Sequence, residues 1–140
     1  MRSIESLIEL FRQKGLRITP QRRAIFESLT GDLSHPTAEE IYQRVRQRIP
    51  EISRMTVYNT LYELVSMGEI AEVEPFVKEG TRYDANTTSH HHLVCLRCHA
   101  VVDIDRDFDG LDVPLPEASG YRIVRREVMF YGYCPNCQEA

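Results

Sequence analysis

The chain has 140 residues, 42% hydrophobic and 27% charged, the balance of a soluble globular protein with one ordinary domain or two small ones. No apolar run approaches the roughly 18–20 residues needed to cross a bilayer, which excludes a helical membrane protein. The net charge of −4 argues against nucleic acid until it is divided: residues 1–60 carry ten Lys/Arg against seven Asp/Glu (+3), and residues 61–140 carry seven against fourteen (−7). A basic head able to approach phosphates and an acidic tail with another task fit that split, although chance surface composition fits it as well.

The first helix is expected where Ile4, Leu7, Ile8 and Phe11 repeat at i, i+3, i+4, i+7, with Gly15 placed to stop it. Glu5 and Glu9 among those apolar residues suit an amphipathic helix and not a signal peptide, so a cytoplasmic protein with reduced thiols is expected. In "ITPQRRAIFESL", Thr19 is a good N-cap and Pro20 suits the first helical position. "HPTAEEIYQRVRQRIP" opens with a T-x-x-E capping box, Thr37 and Glu40, buries Ile41, Val45 and Ile49, and ends at Pro50. A fourth helix over Arg54–Met67 is capped by Ser53, turns Val57, Leu61, Leu64 and Val65 inward, and closes at Gly68. Ile70–Val77, a "KEG" turn and a returning strand at Thr81–Tyr83 follow. Short helices followed by a hairpin are the order of a winged helix-turn-helix, with the third and fourth helices as the helix-turn-helix pair.

Beyond residue 83 the character changes. "HHLVCL", "AVVDID" and "YRIVRREVMFYGYC" read as strands, with "FDGLDVPLPEASG" as a short irregular helix among them. The expected fold is therefore α+β: a winged-helix domain over residues 1–83, then a small α/β domain over residues 84–140.

All four cysteines lie in C-x-x-C pairs, Cys95/Cys98 and Cys134/Cys137. Four thiolates are the closed tetrahedral set of structural zinc, and a two-residue spacer lets both sulfurs of a pair reach one ion. The 35 residues between the pairs exceed the spacing of the commonest zinc ribbons, as they would if a segment were inserted between strands. A redox C-x-x-C would not need the second pair, and reduced thiols disfavour two disulfides. One structural Zn(II) per chain is expected.

Four of the five histidines lie in "SHHHLVCLRCH". On a strand, His90 and His92 share one face and His91 points the other way. Two imidazoles on one face begin a metal site, or they form a solvated patch. With Asp84, Asp103 and His35 they make a set of three imidazoles and two carboxylates, suited to Fe(II), Mn(II) or Zn(II) and lacking a soft ligand. From spacing alone, His35 is equally a polar residue flanking a helix.

Taken in order, "HPTAEEIY", "TVYNTLYEL", "RYD", "HHHLVCLRC" and "YGYCPNC" make the chain similar to the ferric uptake regulator family of metal-dependent repressors, from about residue 10 to residue 137. The resemblance implies a winged-helix DNA-binding domain, a hinge, an α/β dimerisation domain, a four-cysteine zinc and a regulatory metal across the hinge. Its regulatory ligands fall on His35, Asp84, His90, His92 and Asp103. Iron sensors of the family usually have Glu where this chain has Asp84 and Asp103, and tend to have Arg where it has Asn59. In all three the chain resembles the peroxide-sensing PerR branch. There bound Fe(II) reacts with hydrogen peroxide and oxidises a ligand histidine, here His35 or His90, and Mn(II) supports binding without that chemistry. A further site in some members uses an Asp and a His where this chain has His91 and Arg125 or Arg126, so that site is not expected here. His99 replaces the usual Gly after the first C-x-x-C and has no assigned role.

The fourth helix would read DNA through its first turns. Arg54 lies there, Thr56 can hold a phosphate, the Tyr58 ring can pack on a thymine methyl, and Asn59 can pair with adenine. The resemblance adds Lys14 or Arg17 in an A·T-rich minor groove, with Arg22 and Arg23 near the backbone. The partners implied are a second copy of the chain and a palindromic A·T-rich duplex. Iron, zinc or manganese sensing within the family is the alternative to peroxide sensing. An enzyme is disfavoured, because four thiolates leave no open zinc position and no nucleophile–base pair stands out.

Overall fold

The computed structural model describes residues 1–75, 80–88, 90–106, 108, 110, 119–123 and 126–138. It divides into two compact units, Met1–Thr87 and Thr88–Ala140, and the chain as a whole is α+β.

The first unit holds α1 (Ile4–Gln13), α2 (Pro20–Leu29), α3 (Ala38–Arg46), α4 (Arg54–Ser66), β1 (Ala71–Val73) and β2 (Arg82–Asp84). Local chemistry starts each helix. The side chains of Ser3, Thr19, Thr37 and Ser53 accept from the backbone N–H three residues on, at 3.1–3.2 Å, so each satisfies a donor the helix itself cannot. At the end of α4, Gly68 takes φ +72°, the left-handed turn that glycine adopts without a Cβ penalty. Leu7 and Phe11 of α1, Ala24, Ile25, Phe26 and Leu29 of α2, Ile41 and Val45 of α3, and Val57, Leu61 and Leu64 of α4 form one core. The Phe11 and Phe26 rings meet edge-on at 5.0 Å. Ile49, expected on the buried stripe of the third helix, lies past the end of α3 and packs half-buried against that core. β1 and β2 pair antiparallel, Ala71 opposite Asp84. β1 is shorter than the expected strand, Glu74 and Pro75 continuing outside it; Phe76, Val77 and the first two residues of the expected turn lie outside the described residues.

The second unit holds β3 (His91–Cys95), β4 (Val101–Ile104) and β5 (Met129–Gly132) in a sheet of order β4-β3-β5. β4 runs antiparallel to β3, with His92 opposite Asp103, and β5 runs parallel to it, with Leu93 opposite Phe130. The last strand is much shorter than the expected Tyr121–Cys134. Its partner β3 has only five residues, and a parallel ladder cannot outrun its partner. Most of the segment read as an irregular helix lies outside the described residues.

Candidate functional site

Three constellations carry chemistry, and each is assembled within one unit. The first is the thiol cluster. β3 delivers Cys95 at its end and a turn follows immediately, with the His99 N–H closing back onto the Cys95 carbonyl at 2.9 Å. His99 takes φ +63° there, so it fills the turn position where glycine would be unstrained. Past β5, a second turn closes with the Cys137 N–H on the Cys134 carbonyl, also 2.9 Å. The parallel β3–β5 pairing sets these two turns side by side, and the four Sγ atoms all lie within 4.8 Å of one another. All four thiols are unbonded, Cys98 and Cys134 being 3.9 Å apart.

The cluster cannot hold four negative charges by itself. Backbone N–H groups of Cys134 and Cys98 pull the Cys95 thiol down to about 5, while hydrogen bonding to the Cys134 sulfur pushes Cys137 up to about 12. A tetrahedral, thiophilic dication resolves the conflict, so the residues fit zinc.

The second constellation joins residues 49 apart in the first unit. His35 Nε2 lies 3.2 Å from Asp84 Oδ2, both groups buried. The segment ahead of α3 is held against β2 by backbone and side chain together. The Tyr83 N–H donates to the Pro36 carbonyl at 2.9 Å, Thr37 bridges Arg82, and the Arg82 guanidinium donates to the His35 carbonyl at 3.0 Å. His35 itself takes φ +55°, unusual for a residue with a Cβ. Asp84 is oriented in turn, its Oδ1 accepting from the Asn86 N–H at 2.8 Å.

The third constellation lies on the β3–β4 pair. The register that puts His92 opposite Asp103 also turns both imidazoles toward that carboxylate. Asp103 Oδ1 is 3.1 Å from His90 Nε2 and 3.3 Å from His92 Nε2. The remaining ring nitrogens are engaged elsewhere: His90 Nδ1 with the Thr88 carbonyl, and His92 Nδ1 with Glu127 at 2.7 Å. Both rings therefore present Nε2 to one point, as metal-binding histidines do. Nitrogen and carboxylate oxygen without sulfur fit a hard or borderline dication such as Mn(II) or Fe(II). His91 turns to the opposite face, as the alternation of β3 requires. Its Nδ1 accepts from the Val128 N–H at 2.9 Å and its ring lies 5.0 Å from Phe108. Arg82, although it opens the "RYD" motif, was given no role by sequence reasoning, and Thr88 and Glu127 were not singled out at all.

The expected DNA-reading residues lie on the first unit. Lys14 and Arg17 are exposed. The Arg22 guanidinium donates to the Arg17 carbonyl at 2.6 Å and lies over the Phe11 ring. Arg54 at the start of α4 makes a two-pronged pair with Glu39, 3.0 Å on each arm, above the Tyr42 ring. Thr56 shares the N-cap with Ser53, while Tyr58 and Asn59 face outward on the next turn. Met55 and Tyr62 stand exposed on the same helix, a pair the sequence reading passed over. None of the helices among the described residues is long and apolar enough to cross a membrane.

Comparison with known proteins adds a family. The model of the ferric uptake regulator family matches residues 13–131. The peroxide-responsive repressor PerR of Staphylococcus epidermidis is 34% identical over 137 residues, 97% of this chain and 91% of that protein. Among solved structures, PerR from Streptococcus pyogenes is 34% identical with a TM-score of 0.57, over 99% of this chain and 95% of that one. A zinc-bound manganese uptake regulator is 29% identical with a TM-score of 0.66, over 95% and 99%.

Proposed function

This chain belongs to the ferric uptake regulator family, and from that premise we propose that it is a cytoplasmic, metal-dependent repressor of transcription that responds to peroxide. The first unit is a winged-helix DNA-binding domain with α4 as its reading helix. Cys95, Cys98, Cys134 and Cys137 hold one structural Zn(II), and His35, Asp84, His90, His92 and Asp103 together hold one regulatory Fe(II) or Mn(II). The observation that carries this reading is the pair of imidazoles presenting Nε2 to Asp103, with no sulfur in the set. The His35–Asp84 pair of the first unit offers the same chemistry. Sharing one ion among the five donors couples the two units, so metal occupancy selects the arrangement that binds DNA.

When bound, Fe(II) supplies the chemistry that turns hydrogen peroxide on a neighbouring imidazole, and Mn(II) holds the same donors without it. The protein's own part is to present His35 and His90 as that imidazole. His90 is held by the Thr88 carbonyl on its far nitrogen, and His35 by the clamp from Arg82 and β2. A ring so modified would be a poorer donor, and the chain would lose its hold on the ion and, with it, on the operator.

The second unit is the dimerisation domain in this reading. Leu93, Val102 and Phe130 lie level across the sheet and are 42–55% exposed, beside an apolar groove of ≈ 360 Å³. A monomer has no reason to leave such a face wet, and a two-fold dimer would match a palindromic, A·T-rich operator.

The test is mass spectrometry of the protein after peroxide, loaded with Fe(II) or with Mn(II). One added oxygen on His35 or His90, with iron only and with loss of DNA binding, is the expected result. Unmodified histidines and intact binding would reduce the protein to an iron, zinc or manganese sensor of the same family.

A further inference from the structure

Glu127 lies outside every ligand set named above, and its carboxylate sits 2.7 Å from Nδ1 of the fully buried His92. Its position is enforced twice by the next residue. The Val128 carbonyl accepts from the His92 backbone N–H at 3.1 Å, and the Val128 N–H donates to His91 Nδ1 at 2.9 Å. One residue, Val128, is thus tied to both the backbone and a side chain at the start of β3, and Glu127 is set against the His92 ring just before β5 begins.

The partners assign the tautomers. A backbone N–H must donate to His91 Nδ1, so that ring carries its proton on Nε2. The Glu127 carboxylate lies 2.7 Å from His92 Nδ1 but off the line of a hydrogen bond; at that separation two facing lone pairs repel, so the proton belongs on Nδ1 and the Nε2 lone pair is left toward Asp103. Adjacent histidines therefore take opposite tautomers, and His92 has a carboxylate behind it. His90 has the neutral Thr88 carbonyl in the same place.

We infer that Glu127 is a positioning residue for the regulatory metal: it fixes the Nδ1–H tautomer of His92 and makes its Nε2 the strongest nitrogen donor of the set. The inference rests on the regulatory-metal reading above. A carboxylate behind a ligand imidazole orients the ring and raises its basicity, and losing such a partner typically weakens metal binding by about 10–100-fold. The same carboxylate gives the two strand histidines unequal parts, His92 anchoring the ion and His90 binding it more loosely.

The experiment uses the full-length, zinc-loaded protein and its Glu127→Gln and Glu127→Ala variants. Mn(II) is added and the free ion followed by electron paramagnetic resonance. The His92 tautomer is read from 15N spectra of histidine-labelled protein before Mn(II) is added. Wild type should show protonated Nδ1 at His92. Glu127→Ala should lose that preference, whereas Glu127→Gln, whose amide oxygen still accepts, removes the charge alone; both should bind Mn(II) roughly 10–100-fold more weakly, with zinc content unchanged. Unchanged affinity overturns the inference. So does a Glu127→Ala protein that binds more weakly with an unchanged tautomer, because Glu127 would then act only by packing. Wild-type protein that takes up no Mn(II) overturns the regulatory reading and this inference with it, and is told apart because the unmodified protein itself is silent.

Discussion

At Arg82 one guanidinium fixes the backbone of a residue 47 positions earlier. It is 5% exposed and donates to the His35 carbonyl, where the chain takes a left-handed turn without glycine. Such a conformation persists only when its surroundings hold it. Arg82→Ala removes the donor from a buried carbonyl and is expected to cost about 1–3 kcal/mol in urea unfolding. Arg82→Lys should recover only part, because an ammonium lacks the planar fork. An unfolding midpoint unmoved by Arg82→Ala would mean that β2 alone holds the His35 turn. The donors themselves were visible in the sequence, since imidazoles and carboxylates declare their chemistry wherever they stand. The residues that aim them were not. Arg82 reads as a surface charge until β2 lies beside residues 35–37, and Glu127 as one polar residue inside a long strand until β5 docks on β3. Second partners are chosen by tertiary placement, which no local spacing encodes.

Among the elements, α4 has a buried face that carries stability and an outer face to which the proposed function gives recognition. Leu61 is fully buried, and Leu61→Ala should cost about 2–5 kcal/mol through lost burial and the cavity left behind. Tyr58, half exposed on the outer face, should change stability by less than about 0.5 kcal/mol when cut to Ala, yet weaken DNA binding. Urea unfolding and fluorescence anisotropy on the same two variants decide it, and a Tyr58→Ala protein with unaltered DNA affinity would remove that side chain from the reading face. Arg54 is a finer case. Its pair with Glu39 takes two of the five guanidinium donors and sets a negative charge beside any phosphate it would meet. If it makes a phosphate contact, Arg54→Ala lowers the slope of log affinity against log salt by about one, and Glu39→Gln strengthens binding by releasing the guanidinium. The helices were legible because caps and apolar stripes are local: Thr19, Thr37 and Ser53 each cap where the sequence placed them, and Ser3 caps the first helix without having been singled out. Strand lengths were not, because a strand extends only as far as its partner, and the five residues of β3 set the limit for β5.

At the scale of the whole molecule, the two units differ in what holds them together. Every member of the main hydrophobic cluster belongs to the first unit. Among the described residues of the second, the buried apolar side chains are Val94, Cys95 and Val101, beside three buried histidines. A core this small among the described residues leaves a place for another source of stability at this size. The four thiols at the ends of β3 and β5 are placed to supply it, since a structural zinc contributes on the order of 10 kcal/mol or more to the fold that creates its site. Stripping the metal with a chelator, or replacing Cys134 with Ser, should therefore act unevenly. Hydrogen exchange in β3, β4 and β5 should rise toward unprotected rates, while the amides of α2 and α4 keep their protection and the helical circular dichroism changes little. If the dimer is built on the Leu93–Val102–Phe130 face, it should dissociate in the same step, read by size-exclusion chromatography with light scattering. Protection of β3 that survives metal loss would show that the three-stranded sheet stands by pairing alone, and the thiol cluster would then need a different purpose.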